Sequence, residues 1–468
     1  MLKRREIAYL EEWAARQSRK PLVIRGARQV GKSTLVREFA NAAGLPLVTI
    51  DFERNPELRE AFTVRYPARI LSTLALLTGQ TIVPGTHLLF LDEIQAAPEA
   101  LAALRYFYEE APELHVVAAG SLVEFTLADT RFSMPVGRIE YLHLGPLVFE
   151  DFLDAMGHPE LSAHLRAVPL SDLEDAFPDA VHKRYVDLLR EYWVVGGLPE
   201  AVSGYAQGRG SADGGFSELA RIQQNVMATY RDDFNKYSHG STGDRVRMVF
   251  DSLPGLVGRK FKYVGVSRDH RAAELADALR LLCMARIAYK VCRTAANGVP
   301  LAAEVNERHF KCLFMDIGLM CAALHLDLLD LRTHDLTLVN AGALAEQFIG
   351  QHLLYSGPGY ETPALYYWAR ETKNAAAEVD YLMTLGAQVV PVEVKAGATG
   401  SLKSLHRFLK EKGSAFGLRF NAAAPSLLRD STRLPNGDTL DYHLLSLPLY
   451  LVGQARRLAR EFRERDQN

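Results

Sequence analysis

Residues 26–33 read Gly26-Ala27-Arg28-Gln29-Val30-Gly31-Lys32-Ser33, between the apolar run KPLVI (20–24) and the periodic run LVREFANAAG (35–44). Strand, glycine-rich loop and helix in this order present backbone N–H groups and a helix N-terminus to an anion, and glycine lets the chain wrap a phosphate without a side-chain clash. Gly26 and Gly31 meet that need. Lys32 then offers a cation to the β- and γ-phosphates, and the Ser33 hydroxyl offers a ligand to Mg²⁺. The whole stretch from Gly26 through Ala27, Arg28, Gln29, Val30, Gly31, Lys32 and Ser33 to Thr34 is therefore a candidate ATP cradle. Arg28 suits a phosphate contact or a solvated loop position equally well.

Working outward, His87–Gln95 (HLLFLDEIQ) is an apolar strand that ends in two adjacent carboxylates. Asp92 can hold Mg²⁺ through water, and Glu93 can polarise the water that attacks the γ-phosphate. The next buried run, LHVVAAGS (114–121), brings Ser121 to the same edge of a parallel sheet, where it serves as a γ-phosphate sensor or simply ends a strand.

Length and composition bound the rest. The chain has 468 residues, formal charge −2, 48% hydrophobic and 24% charged residues, which implies about three folded domains and excludes a disordered or fibrous chain. Four cysteines without a CxxC pair read as reduced packing thiols and suggest the cytoplasm. The start MLKRREIAYLEEW is charged where a signal peptide is apolar, and no apolar run approaches the roughly 20 residues of a membrane span. The near-neutral total leaves a nucleic-acid partner open.

GARQVGKS, FLDEIQ, AAGS, Gly137-Arg138 with LGPLVFEDF, GGLPEAV (196–202) and KCLFMDIGLM (311–320) follow one another along the chain. In that order they resemble the bacterial and archaeal AAA+ ATPases that carry a C-terminal domain of unknown function. The resemblance implies ATP hydrolysis, a homo-oligomer, and an arginine that reaches the γ-phosphate of a neighbouring subunit, for which Arg138 is the position in this sequence.

After residue 137 the pattern turns helical, with a Gly/Ser-rich break at SGYAQGRGSADGGFS (203–217). Helices around RVRMVFDSLPGLV (245–257) and AAELADALRLLCMARI (272–287), then strand-like YKVCRT (289–294), a turn at Asn297-Gly298 and a returning strand at LAAEV (301–305), suggest a winged-helix-like unit. Its Lys260, Lys262, Arg268, Arg271, Arg280 and Arg286 fit phosphate tracking and a solvated face alike.

Further on, EVDYLMTLGAQVVPVEVK (378–395) reads as two strands around Gly386-Ala387, a type II′ hairpin. In a two-residue hairpin, partner numbers share a constant sum, so Leu385 faces Gln388, Asp380 faces Glu393 and Glu378 faces Lys395. Alternation puts Glu393 and Lys395 on one face, with Val379, Val392 and Val394 on the other. An acidic pair facing an ExK strand resembles the active site of the PD-(D/E)xK nuclease superfamily, to which the C-terminal domain of the resembled ATPases belongs. That likeness implies metal ligands Asp380 and Glu393, with Glu346 on the helix pattern NAGALAEQFIGQHLLYS (340–356) as a further carboxylate. Lys395 would help deprotonate the attacking water. Lys403 and His406 on SLKSLHRFLKEK (401–412) are candidate backbone contacts to nucleic acid. The same alternation also suits an exposed face of ordinary cross-strand ion pairs.

The expected architecture is α/β. It comprises a P-loop AAA+ parallel-sheet domain (1–150), a helical lid and linker (151–240), a winged-helix-like module (241–330) and a restriction-endonuclease-like domain with a C-terminal tail (331–468). The expected function is ATP hydrolysis coupled to a nuclease-like domain on DNA, without membrane contact. The competing expectation is an ATP-gated nucleic-acid- or protein-binding switch that does not cleave.

Overall fold

A four-residue buried strand, β1 (Leu22–Arg25), runs through the phosphate loop directly into α2 (Lys32–Ala42), and the structure of the first unit is arranged around this turn. In the computed structural model all residues are described except 1, 3, 122–136, 238–240, 327–340, 372–375, 399, 435–436 and 467–468. The chain divides into two compact units: the first holds residues 1–146 with 284–287 and 357–363, the second holds the rest.

The first unit contains α1 (Glu6–Ala15), β1, α2, β2 (Leu47–Asp51), α3 (Pro67–Thr78), β3 (Leu88–Asp92), α4 (Pro98–Glu110), β4 (His115–Gly120) and β5 (Glu140–His143). Its five strands are all parallel, in the order β2-β3-β4-β1-β5. β3 and β4 are buried along their whole length, as strands covered by helices on both faces must be. Trp13 of α1 packs edge-on against Phe39 of α2 and donates its indole N–H to the Lys20 carbonyl, 2.8 Å away.

The second unit begins with helices α5 (Phe149–Ala155), α6 (Pro159–Ala167), α7 (Asp179–Val195), α8 (Pro199–Gly208), α9 (Phe216–Tyr237), α10 (Ser241–Ser252) and α11 (Ala272–Met284). Strands β6 (Ala288–Thr294), β7 (Val305–Phe314), β8 (Leu365–Arg370), β9 (Ala377–Leu385), β10 (Gln388–Val394), β11 (Phe416–Asn421), β12 (Ser426–Arg433) and β13 (Thr439–Pro448) form one mixed sheet in the order β12-β13-β11-β10-β9-β8-β6-β7. Helices α12 (Ile317–Ala323), α13 (Ala341–Leu354), α14 (Lys403–Lys412) and α15 (Ala455–Asp466) complete it. Among the described residues no helix is long and apolar enough to cross a membrane.

This sheet corrects the winged-helix expectation. The expected strand YKVCRT is β6, but residues 301–304 form a 3₁₀ turn and the returning strand starts at Val305. β6 also pairs in parallel with β8, so the pair is one edge of the C-terminal sheet and not the wing of a separate module. A hairpin has one free edge on each strand, and a partner more than 70 residues downstream decides what occupies it.

The helical layer is fixed to the sheet by a buried carboxylate. Asp316, 1% exposed, accepts from the Gly197 N–H at 2.7 Å and caps α12 by accepting from the Leu319 N–H at 3.1 Å. Gly196 adopts φ 77°, ψ −167°, a conformation reserved for glycine, and a Cβ there would overlap the Asp316 carboxylate. Asp316→Ala would strand two buried N–H groups, so it should cost the second unit about 3 kcal/mol in urea unfolding, with Asp316→Asn costing less because one acceptor remains. A loss below about 1 kcal/mol in the alanine variant would contradict this role.

Candidate functional site

The phosphate loop owes its shape to two left-handed residues, Gln29 (φ 63°) and Gly31 (φ 88°), and to one close approach. A Cβ on Gly26 would overlap the Leu144 carbonyl oxygen, a main-chain atom that cannot give way. Arg4 braces the loop, donating to the Val30 carbonyl at 2.6 Å and to the Gly145 carbonyl at 3.1 Å. Sequence reasoning did not single out Arg4, and nothing local distinguishes it in a charged N-terminus.

Lys32 is 7% exposed and donates to two carbonyls of its own loop, Ala27 at 2.8 Å and Gly26 at 3.1 Å. Burial lowers its pKa to about 8, against which Glu93 and Asp92 act in the opposite sense. An ammonium whose contacts are mainly neutral carbonyls is under-compensated, and a phosphate anion relieves that condition.

Asp92 ends β3, 8% exposed, and is hydrogen-bonded by the Ser33 hydroxyl. Burial raises its pKa. Ser33 and Asp92 thus stand together, and their oxygen donors fit Mg²⁺, which prefers few protein oxygens alongside phosphate and water. Glu93 follows in the left-handed region (φ 49°), uncommon for a residue other than glycine. Its Oε2 accepts from Gln95 Nε2 at 2.5 Å and from the Ser121 N–H at 3.4 Å. The carboxyl ends of β3, β4 and β1 therefore bring Lys32, Ser33, Asp92, Glu93 and Ser121 to one edge. Thr34 is exposed in the first turn of α2, and Ala27 and Val30 are buried behind the loop. Arg28 lies close enough to Lys32 to disfavour its charge.

Arg138 does not join this group. It precedes β5 at the amino edge of the sheet, paired with Glu109 at 2.9 Å.

In the second unit the hairpin holds the arithmetic register from Gln388–Leu385 to Val392–Tyr381. Gly386 has φ 59° while Ala387 is not left-handed, as a type II′ turn requires. The ladder stops one pair short of Asp380–Glu393, because Asp380 Oδ2 itself accepts from the Val394 N–H at 2.9 Å and β10 continues along β11. The expected Glu378–Lys395 pair is also absent. Glu378 contacts Lys311 at 2.7 Å, and Lys395 turns to Glu393 Oε1 at 2.5 Å. Glu393 is 4% exposed, whereas the Glu378 and Lys395 side chains are about a third and a quarter exposed, so the charged face is enclosed at Glu393 and half-open at its rim.

Lys311, which the sequence reading passed over as a site residue, is the centre of this cluster. Its Nζ, 3% exposed, lies 2.7 Å from Glu378, 3.1 Å from Glu346 and 3.5 Å from Asp380. Burial pulls its pKa down, but the carboxylates together hold it well above the usual lysine range. Burial and Asp380 raise both Glu346 and Glu393. A lysine in the otherwise apolar run FKCLF was the available signal. Among the described residues no group of three or more Asp, Glu, His or Cys is arranged to hold a metal. Lys311 engages Glu346, Glu378 and Asp380 Oδ1, and the Val394 N–H engages Asp380 Oδ2, so the buried oxygen of the cluster without a hydrogen-bond partner, and the donor that best fits a cation, is Glu393 Oε2, with Asp380 beside it. His406, expected to face nucleic acid, packs against the Tyr442 ring 4.8 Å away.

Comparison with known proteins agrees with the first unit. Residues 18–153 match the family model described as "AAA domain", so the N-terminal unit is similar to domains of that family. Residues 186–330 and 341–439 match two families described only as domains of unknown function. Similar solved structures include the Walker-type ATPase PABY2304 of Pyrococcus abyssi, with 16% identity over 69% of this chain and 96% of that one and a TM-score of 0.44. The ORC2 protein of Aeropyrum pernix in its ADPNP–ADP complexes has 16% identity over 60% and 84%, TM-score 0.32. The RuvB Holliday junction branch migration motor of Thermotoga maritima has 14% identity over 63% and 90%, TM-score 0.28. No curated protein matches the chain.

The loop geometry generates a direct test. Gly26→Ala should weaken binding of a fluorescent ATP analogue at least tenfold, since the added methyl must displace either the loop or the Leu144 carbonyl. Wild-type affinity in this variant would show that the close approach does not shape the cradle.

Proposed function

We propose that the chain binds and hydrolyses ATP in its N-terminal unit and uses its second unit to act on or bind nucleic acid, DNA foremost. The observation that carries the first part is the buried, carbonyl-bound Lys32 beside the Ser33–Asp92 pair. Loop amides and Lys32 would hold the β- and γ-phosphates, and Ser33 and Asp92 would hold Mg²⁺. The metal supplies charge neutralisation at the phosphates. Glu93, oriented by Gln95 and the Ser121 N–H, would accept a hydrogen bond from the attacking water and align it. Arg138 stands away from this edge, which fits a role at a neighbouring copy's site.

For the second unit, enclosed Glu393 with its unpartnered oxygen, Asp380 and Lys395 support phosphodiester chemistry on a cation-dependent site. One observation favours the non-cleaving reading: Lys311 already supplies a positive charge to three of the carboxylates. Incubation of the purified chain with plasmid and linear DNA, with and without ATP and Mg²⁺ or Mn²⁺, separates the two. Cleavage lost in Asp380→Ala and Glu393→Ala supports the nuclease, whereas ATP-dependent retention of intact DNA supports the switch.

Two outcomes test the ATPase. Lys32→Ala should abolish hydrolysis and weaken nucleotide binding, while Glu93→Gln should keep binding and slow turnover by at least tenfold, measured as phosphate release. Unchanged turnover in Glu93→Gln would remove that residue from the mechanism. Mixing Arg138→Ala with Lys32→Ala protein should restore part of the activity if sites are shared between copies. A fully active protein that sediments only as a monomer would refute the shared site.

A further inference from the structure

Four carboxylates, Glu346, Glu378, Asp380 and Glu393, are gathered on α13, β9 and β10 around two ammoniums, Lys311 and Lys395, while Lys260 stands 4.0 Å from Glu378 and closer to Glu371. The two cations do not share the work evenly. Lys311 holds three carboxylates on one side, and Lys395 holds Glu393 through Oε1 alone. What remains uncompensated is Glu393 Oε2, buried and without a partner.

We propose that Lys311 is a positioning residue that acts as a fixed, built-in cation of the acidic cluster, so that the site takes one divalent cation on the Glu393 side and not a pair. The inference rests on the reading of this cluster as a cation site. Its geometric basis is that Lys311 is anchored more firmly than any exchangeable ion could be: it projects from β7, paired to β6, and its Nζ lies 5.6 Å from the Tyr367 ring centroid as well as beside three carboxylates. A second metal ion on that side would have to sit where the ammonium stands, and two cations at such a separation repel strongly in an enclosed site. Removing an ammonium that neutralises buried carboxylates leaves them uncompensated, and a cation from solution is then the most effective replacement. Lys311 would thereby also keep Glu346 away from the metal, reserving that carboxylate for the lysine.

The test is Mn²⁺ binding to the nucleotide-free full-length chain, followed by electron paramagnetic resonance of the free ion, in wild type, Lys311→Gln, Lys311→Met and Lys311→Arg. The Glu393→Gln protein supplies the background. Thermal melts establish that each variant is folded, and the two neutral variants guard against a failure of either one. Wild type should bind one Mn²⁺ above background. Both neutral variants should bind two, or bind the first at least tenfold more tightly, and Lys311→Arg should restore the wild-type count. One Mn²⁺ with unchanged affinity in the neutral variants would overturn the role of Lys311 and leave the metal site standing. No Mn²⁺ in any protein would remove the metal site itself, and the inference with it. Binding in the neutral variants but not in wild type would also overturn it, because the lysine would then replace the metal entirely.

Discussion

A carboxylate taken wholly out of water holds the second unit together. Asp316 has no cation within salt-bridge distance among the described residues; its charge is met by the N–H groups of Gly197 and Leu319 and by Gln351. Burying a carboxylate without such partners would cost several kcal/mol, so the three elements that supply them cannot separate independently. Those elements are the turn after α7, the start of α12 and the helix α13. The same helix uses Gln347 to bond both the N–H and the carbonyl of Phe314 at the end of β7. Lys311 on β7 and Glu346 on α13 face each other because this framework sets the spacing of strand and helix.

Among the described residues each unit contains one deeply buried lysine, and their surroundings give them opposite tasks. Lys32 is met by carbonyl oxygens, which carry only partial charge, and burial lowers its pKa to about 8. Lys311 is met by full carboxylates, which overcome an equally severe burial and raise its pKa. The first is a cation short of negative charge and is suited to gain an anion. The second is already a counter-ion and is suited to hold its neighbours in place. The direction of the shift, set by whether the acceptors are dipoles or charges, separates a ligand-seeking lysine from a structural one.

What was legible in the sequence was what short-range geometry determines. GARQVGKS carries its own turn residues, Gln29 and Gly31, within eight positions, whereas the approach of Gly26 to the Leu144 carbonyl and the brace from Arg4 come from outside the motif. The hairpin register followed from the two-residue turn at Gly386-Ala387, and it holds as far as backbone pairing alone governs it. It fails where a side chain intervenes: Asp380 takes the Val394 N–H, and β10 passes to β11. Lys311 meets Glu346 across 35 residues and Asp380 across 69, distances at which no periodicity gives a signal. The winged-helix expectation failed similarly, because helices followed by a hairpin look alike in both settings until β8 pairs with β6.

The position of Arg138 follows from the sheet itself. β5 is parallel to β1, so a residue just before β5 lies at the opposite edge from the phosphate loop, across a four-residue strand of about 13 Å at roughly 3.3 Å per residue. Rotamer changes cannot carry the guanidinium across that span through a packed sheet. Its pairing with Glu109, at the end of α4, also belongs to the amino edge. If Arg138 contributes to ATP hydrolysis, the phosphate it meets must belong to another copy of the chain, and its involvement becomes a property of assembly. A chain that hydrolysed ATP alone would have to rely on Lys32, Asp92, Glu93 and Ser121, the groups its own carboxyl edge brings together.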